Sequence, residues 1–152
     1  MKQVEVAVVG TGWCGGIRAL TLAKSALVDK LHICDINAER LAEVREMTNP
    51  ATATENYQDI IDNPDIEVVY LSTTPESTHY PIARDLLKAG KHILMEKPIG
   101  LELWEADDLI AIAKQNNLKF TIGYSQRFNP KIAYAKKKIQ DGTLGDVVNV
   151  MV

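Results

Sequence analysis

Residues 4–15, with the sequence Val-Glu-Val-Ala-Val-Val-Gly-Thr-Gly-Trp-Cys-Gly, decide the fold of this chain. The run Val4–Val9 is typical of a buried strand, and the glycines that follow it have the spacing Gly-x-Gly-x-x-Gly. Gly10 allows a tight turn out of the strand, and Gly12 lets the backbone approach a pyrophosphate. Gly15 lets the next helix pack close to the sheet, so that its N-terminal N–H groups face the phosphates. The stretch therefore predicts a strand, a turn and a helix that bind a dinucleotide.

Asp35 ends the next apolar run, 20 positions after Gly15. A carboxylate at this spacing can accept hydrogen bonds from both hydroxyls of an adenosine ribose. Because a 2′-phosphate would meet its negative charge, Asp35 favours NAD over NADP as the cofactor. Arg40, which follows in a predicted helix, is expected at the protein surface, since arginine is rarely buried. NADP is kept as the alternative cofactor.

Composition and charge narrow the class of protein. With 152 residues, 46% of them hydrophobic and 24% charged, the chain has room for one globular domain, or for one domain and a fragment. A net charge of −3 argues against nucleic acid as a partner.

The sequence has neither the pattern of a signal peptide nor an apolar stretch long enough to cross a bilayer, so we expect no membrane partner. Cys14 and Cys34, in a predicted turn and a predicted strand, indicate reduced thiols and a cytoplasmic protein. No spacing of His, Cys and Asp predicts a metal site.

Apolar runs and helical patterns alternate along the chain as far as Gly123. The predicted strands are Val4–Val9, 31–34, 51–53, Ile66–Leu71, His92–Met95 and 119–122. The predicted helices are 13–27, with Ile17, Leu20 and Ala23 on one face, then 38–47 after Asn37 as N-cap, 56–62, 77–89 closed by Gly90, and 102–115. This alternation predicts an α/β fold with a doubly wound parallel sheet, a Rossmann fold. Right-handed crossovers then bring the C-terminal ends of the strands to one ligand-binding edge.

The pattern changes after Gly123. A helix is predicted over Pro130–Gln140, two glycines follow it, and a new strand begins in 147–152. We therefore divide the chain into a dinucleotide-binding domain, 1–123, and the hinge, helix and first strand of an incomplete second α/β domain, 124–152.

Two loops at the expected ligand-binding edge carry candidate site residues. Ser72, Thr73, Thr74 and Pro75 follow the fourth strand, and such small residues can shape a loop beside the nicotinamide end of the cofactor. The structural alternative is a turn that caps the next helix, since such turns are also rich in small hydroxyl residues.

Glu96, Lys97 and Pro98 follow the fifth strand. Pro98 restricts Lys97 to extended backbone angles, which fixes the direction of its side chain, and proline also permits a cis peptide bond at this point. An ammonium group beside the cofactor suits proton transfer or the orientation of a hydroxyl. A surface ion pair is the structural alternative.

Several motifs together resemble the glucose–fructose oxidoreductase / inositol dehydrogenase family (Gfo/Idh/MocA). They are the glycine motif, Thr-Pro-x-x-x-His ending at His79, Ala-Gly-Lys-His-Ile-Leu-Met-Glu-Lys-Pro at 89–98, Gly-Tyr-x-x-Arg-Phe-x-Pro at 123–130 and Gly-Thr-Leu-Gly-Asp-Val at 142–147. The resemblance covers the whole chain, and the Glu-Lys-Pro block is its most specific part.

The resemblance implies an NAD- or NADP-dependent oxidoreductase that transfers hydride between nicotinamide and a sugar, polyol or related small molecule. It makes Lys97 the catalytic residue at the reacting hydroxyl and places Glu96 by the nicotinamide ribose. The cofactor-binding residues would be Gly10, Thr11, Gly12, Trp13, Cys14, Gly15, Asp35, Ser72, Thr73, Thr74, Pro75, His79, Glu96, Lys97 and, from the hinge, Gln126 and Arg127. Trp13 would pack on the cofactor or serve as a structural wedge, and His79 would have a site role or be exposed.

Members of this family usually continue with a second domain that supplies an Asp and a His, and they assemble into homo-oligomers through it. This chain ends before those residues, so it is expected to bind the dinucleotide but to be inactive alone. A stand-alone dinucleotide-binding or sensor module without turnover is the alternative. A methyltransferase is a third hypothesis, which binding of S-adenosylmethionine in place of NAD would support.

Overall fold

The computed structural model of this chain describes residues 2–149 and 151, which form one six-stranded parallel sheet with helices packed on it. The strands are β1 (Val4–Val9), β2 (Val28–Cys34), β3 (Thr52–Thr54), β4 (Ile66–Leu71), β5 (His92–Met95) and β6 (Phe120–Ile122). The helices are α1 (Trp13–Leu22), α2 (Ala38–Thr48), α3 (Gln58–Asp62), α4 (His79–Lys88), α5 (Leu103–Gln115) and α6 (Pro130–Gln140), with 3₁₀ turns at Glu76–Thr78 and Ser125–Phe128. The spatial order β3-β2-β1-β4-β5-β6 confirms the predicted doubly wound Rossmann sheet, whose order reverses between β1 and β4.

The sheet is covered on both faces, which explains its continuous apolar strands. Val8, Ile33 and Tyr70 pack on one face, together with Ala19 of α1 and Val44 of α2. Their strand neighbours form a larger cluster on the other face with residues of α3, α4 and α5; it includes Val9, Cys34, Val69, Leu71, Ile60, Leu86 and Leu109. Burying each large aliphatic side chain stabilises the fold by about 1.5–3 kcal/mol, so the two clusters hold the strand ends firmly in place.

Helix α1 differs most from its prediction. It ends at Leu22, not at residue 27, because residues 23–27 form the turns that lead into β2 at Val28. Its buried residues are Gly15, Gly16 and Ala19, whereas Ile17 is half exposed. The predicted face of Ile17, Leu20 and Ala23 is therefore not the one that packs on the sheet. Residues with little or no side chain let the helix axis lie close to the strands.

The remaining boundaries differ by a few residues. Asn37 is the N-cap of α2, and its side chain accepts a hydrogen bond from the Arg40 N–H, as predicted. Gly90 follows α4 with a positive φ of 82°, also as predicted. Helix α4 begins at His79, after the 3₁₀ turn, and α5 begins after Glu102, which forms a capping box with Glu105.

The C-terminal segment packs little against the domain. Helix α6 has Asn129 as its N-cap and contains no buried residue. The strand predicted in 147–152 is wrong for residues 147–149 and 151, which have no partner strand in the described part of the chain; residues 150 and 152 lie outside it. None of the helices within 2–149 is long and apolar enough to cross a membrane.

Lys91 has a structural role. Its ammonium group is buried and donates hydrogen bonds to the carbonyl oxygens of Asn63 at 2.6 Å and Ile66 at 3.0 Å. We expect Lys91→Met to lower the free energy of unfolding by about 2–4 kcal/mol, because two buried carbonyls lose their donor. Urea unfolding would measure this loss. The matched change Lys88→Met, at an exposed position, should stay within about 0.5 kcal/mol of the unmodified protein, and equal effects of the two changes would contradict the role.

Candidate functional site

A cleft of about 680 Å³ opens at the C-terminal ends of the strands, between the loops that follow β1, β2, β4 and β5. Most of the predicted site residues line it: Gly10, Gly12, Trp13, Cys14, Asp35, Ser72, Thr73, Thr74, His79, Glu96 and Lys97. Residues that were not predicted to bind also line it, among them Ile36, Asn37, Arg40, Tyr57, Glu76, Thr78 and Ile82. The cleft lies at the point where the strand order reverses, which is where ligands bind in this class of sheet.

Five predicted residues do not line the cleft. Thr11 is fully buried within the glycine loop, and Gly15 is a buried residue of α1. Pro75 is exposed within the loop that follows β4 and is not among the residues that line the cleft. Gln126 and Arg127 are exposed in the turn Ser125–Phe128, outside the cleft.

The three glycines of the motif have separable roles. Gly10 has a φ of 86°, and a Cβ there would lie 2.5 Å from the carbonyl oxygen of Ser72. A Cβ on Gly15 would overlap the carbonyl oxygen of Gly10. A Cβ on Gly12 would meet nothing within 4 Å. Gly10 and Gly15 are thus required by the protein's own packing, while the open space at Gly12, at the N-terminus of α1, fits a dinucleotide pyrophosphate.

Asp35 is held firmly at the edge of the cleft. Its Oδ2 accepts hydrogen bonds from the Thr11 N–H at 2.6 Å and the Thr11 hydroxyl at 2.9 Å, and its Oδ1 accepts one from the Asn37 N–H at 2.9 Å. A carboxylate offers about four acceptor positions, so in this geometry about one is left for a ribose hydroxyl. The predicted contact with both ribose hydroxyls stays a prediction, and it would require Thr11 to give up one of its bonds.

Arg40 was expected at the surface; it is only partly exposed, because its side chain lies against the glycine loop. Its Nε donates to the carbonyl oxygen of Thr11 at 2.7 Å, and its Nη2 lies 3.3 Å from that of Gly12. The first turn of α2 lies beside the glycine loop, which brings the guanidinium group to the wall of the cleft. No local pattern reveals this contact, because its partners are backbone atoms far away in the sequence.

Trp13 is 82% exposed and lines the cleft, so it is not a structural wedge. It lies in the first turn of α1, where its ring can contact a ligand. Trp104 packs edge-on against Tyr80, with ring centroids 4.9 Å apart.

His79 joins the two loops at the other end of the cleft. It is 2% exposed, so it is buried and not an exposed residue of the helix. Its Nδ1 lies 2.9 Å from the carbonyl oxygen of Pro98, and its Nε2 lies 3.0 Å from that of Thr73. Both ring nitrogens therefore face the backbone of the loops that follow β4 and β5. The peptide bonds Thr74–Pro75 and Lys97–Pro98 in these loops are both cis.

Glu96 and Lys97, directly after β5, differ in their surroundings: Glu96 is hydrogen-bonded within the protein, whereas Lys97 is exposed. The Tyr70 hydroxyl donates a hydrogen bond to Glu96 Oε1, and the Arg18 guanidinium lies 5.9 Å from the centre of the Tyr70 ring. Gly123 leaves room for Glu96, since a Cβ there would lie 3.3 Å from its Oε1. Lys97 is exposed at the cleft and, within residues 2–149, forms no ion pair with a carboxylate. Its ammonium group is available to a ligand.

Tyr70 should make the protein's stability depend on alkaline pH. Burial, and then the hydrogen bond to Glu96, raise its pKa from 10.0 to about 12. A raised pKa in the folded state means that the stabilisation is complete below about pH 10 and is lost as the pH rises toward 12, at about 1.4 kcal/mol per pH unit. Tyr70→Phe lacks the titrating hydroxyl. Between about pH 9 and 12, the free energy of unfolding of this variant should therefore fall by about 2 kcal/mol less than that of the unmodified protein. Urea unfolding of both proteins between about pH 9 and 12 measures the difference, and parallel pH profiles would contradict it.

Known proteins of similar sequence are NAD-binding oxidoreductases, in agreement with a dinucleotide site in this cleft. A family model described as an oxidoreductase family with an NAD-binding Rossmann fold matches residues 4–124. Levoglucosan dehydrogenase of Pseudarthrobacter phenanthrenivorans is 31% identical over 98% of this chain and 40% of its own length. Inositol 2-dehydrogenase/D-chiro-inositol 3-dehydrogenase of Lactiplantibacillus plantarum is 33% identical over 93% of this chain and 41% of its own length.

Solved structures show the same relationship. Scyllo-inositol dehydrogenase from Lactobacillus casei, with bound NAD(H) and scyllo-inositol, superposes with a TM-score of 0.85 at 28% identity, over 95% of this chain and 43% of that one. The chain thus spans about two fifths of the length of the relatives it matches. The match leaves the methyltransferase hypothesis without support. The glycine loop, the acidic residue after β2 and the Glu96-Lys97 loop surround one cleft, and the family model covers most of the chain. The chain therefore belongs to the Gfo/Idh/MocA oxidoreductase family, whose N-terminal domain is an NAD-binding Rossmann fold.

Proposed function

We propose that this chain is the cofactor-binding part of an NAD-dependent dehydrogenase that acts on a sugar, polyol or related small molecule. The proposal rests mainly on the position of Lys97. This residue lines the same cleft as the glycine loop, and within residues 2–149 it forms no ion pair with a carboxylate. The substrate class rests on relatives whose names specify inositol and levoglucosan.

The chain's own residues divide the work along the cleft. NAD, when bound, accepts or supplies the hydride. The open space at Gly12 and the N-terminus of α1 receive the pyrophosphate, and Asp35 accepts a hydrogen bond from the adenosine ribose. At the opposite end, Lys97 binds the reacting hydroxyl of the substrate and holds or transfers its proton. Glu96, which Tyr70 orients, borders the nicotinamide ribose.

Residues 124–152 are proposed to lead into a substrate domain. The absence of any buried residue in α6 supports this division, because a helix with exposed Ile132, Tyr134 and Ile139 needs a further surface to cover them. Gln126 and Arg127 would approach the cofactor once that surface is in place. We further propose a cytoplasmic, homo-oligomeric protein, in which Cys14 and Cys34 remain free thiols.

Calorimetric titration of the chain with NADH, and a turnover assay with NAD and a panel of inositols and levoglucosan, test this proposal. We expect saturable one-to-one binding of NADH, no binding of S-adenosylmethionine and no turnover by the chain alone. Lys97→Met should still bind NADH saturably, because the proposed contacts to the pyrophosphate and the adenosine ribose do not involve Lys97. Failure to bind NADH would overturn the proposal.

The alternative is a sensor module that binds the dinucleotide without turnover. It also predicts binding by the chain alone, so the discriminating observation is the coding sequence downstream of residue 152. A continuation with a second domain that carries an Asp and a His supports the dehydrogenase, whereas an immediate stop codon supports the module.

A further inference from the structure

Thr11, within the glycine loop, is held from two sides. It is fully buried, and its N–H and hydroxyl both donate to Asp35 Oδ2. Its carbonyl oxygen accepts a hydrogen bond from Arg40 Nε at 2.7 Å. Two charged side chains, Asp35 directly after β2 and Arg40 in α2, thus fix the two peptide groups of this residue, and charge-assisted hydrogen bonds of this kind are the stronger ones.

The Arg40 guanidinium extends along the loop. Its Nη2 also lies 3.3 Å from the carbonyl oxygen of Gly12, and its Nη1 pairs with Glu43. A Cβ on Gly16 would overlap Arg40 Nη2, so the fourth glycine of this region leaves room for the guanidinium group. Gly16 is not part of the Gly-x-Gly-x-x-Gly motif, and this contact gives it a function.

The planarity of the peptide bond links these contacts to the ligand. In a trans peptide the N–H points away from the carbonyl of the preceding residue. The Thr11 carbonyl is held by Arg40, so the N–H of Gly12, in the same peptide, is directed away from Arg40. The Gly12 carbonyl is held by the Gly16 N–H at 2.8 Å, in the first turn of α1, and by Arg40, so the Trp13 N–H is also directed away from Arg40. Within residues 2–149, neither of these N–H groups donates a hydrogen bond to the protein. They are two free donors at the N-terminus of α1, beside the open space at Gly12.

We propose that Arg40 is a positioning residue for the cofactor, which orients the N–H groups of Gly12 and Trp13 toward the pyrophosphate by holding the preceding carbonyls. The inference rests on the NAD site proposed above. It also gives Arg40 no part in binding a 2′-phosphate, because three of its five N–H groups already donate to two carbonyls and a carboxylate, and a 2′-phosphate would meet the negative charge of Asp35. Loss of Arg40 should therefore weaken NADH and NADPH binding by the same factor.

Calorimetric titration of the Arg40→Met chain with NADH and with NADPH tests this. Both affinities should fall about tenfold, with their ratio unchanged, since a lost charge-assisted hydrogen bond has about this effect. Glu43→Gln, which removes only the carboxylate partner, is the matched control and should bind within about twofold of the unmodified chain. In two-dimensional NMR spectra, saturating NADH should shift the Gly12 and Trp13 amide signals less in Arg40→Met than in the unmodified chain, which a merely structural role would not produce.

Gly16→Ala provides a second variant that keeps the charge. The added methyl group displaces the flexible end of Arg40, so the same fall in both affinities is expected even if Arg40→Met fails to fold. A much larger loss for NADPH than for NADH would make Arg40 a 2′-phosphate receptor and overturn the proposal, as would unchanged binding in both variants. If the unmodified chain bound no NADH, the proposed function itself would fail, and that outcome is distinct from the other two.

Discussion

Gly15→Ala is expected to abolish NADH binding and to lower the free energy of unfolding by about 3 kcal/mol or more. The added methyl group would overlap the carbonyl oxygen of Gly10, a backbone atom that cannot rotate away as a side chain can. Helix α1 would have to move off the sheet, and its N-terminal N–H groups would leave the cleft with it. Urea unfolding and calorimetric titration measure the two effects.

Gly12→Ala is the matched control. A methyl group at Gly12 would meet no protein atom within 4 Å, so the stability should stay within about 0.5 kcal/mol of the unmodified chain. The same methyl group would occupy the space assigned to the pyrophosphate, and NADH binding should be lost. A stable Gly15→Ala chain, or a Gly12→Ala chain with full affinity, would contradict the roles given to these glycines.

His79→Leu is expected to lower the free energy of unfolding by about 1–3 kcal/mol and to weaken NADH binding. His79 is buried between the carbonyl oxygens of Thr73 and Pro98, which its two ring nitrogens face at hydrogen-bond distance. Leucine supplies no donor, so the loops that carry Thr73 and Lys97 would lose the contact that joins them.

His79→Gln tests whether the hydrogen bonds or the shape of the ring matter. A glutamine amide has two N–H groups, so it should recover part of the stability and of the affinity for NADH. Thermal unfolding and NADH titration of the two variants measure this. If leucine and glutamine have the same effect, the hydrogen bonds to the two loops are not what His79 contributes.

The sheet and the glycine loop could be predicted because each depends on a local pattern. Strands buried on both faces are mostly apolar, as in Ile66–Leu71, where Glu67 is the one charged residue. The spacing of Gly10, Gly12 and Gly15 reflects steric demands on the loop and on the first turn of α1. The prediction of the buried face of α1 was wrong, because it was based on the apolar side chains and glycine has none. Gly15 and Gly16 are buried against the sheet, whereas Ile17 is half exposed.

Contacts between distant parts of the chain could not be predicted. Tyr70 has the pattern of a core residue of β4, and its hydrogen bond to Glu96 depends on the pairing of β4 with β5. Arg40 has the pattern of an exposed helical residue, and its partners are carbonyl groups of the glycine loop. The strand predicted from Val147 did not form in the described residues, because an apolar run becomes a strand only where another strand pairs with it.

A crystal structure of the chain with NADH tests the central claim most directly. We predict the pyrophosphate at the N-terminus of α1, within hydrogen-bond distance of the Gly12 and Trp13 N–H groups, an adenosine ribose hydroxyl on Asp35, and the nicotinamide between Thr73 and Lys97. A nucleotide bound outside this cleft, or in it with the nicotinamide at Asp35, would contradict the account.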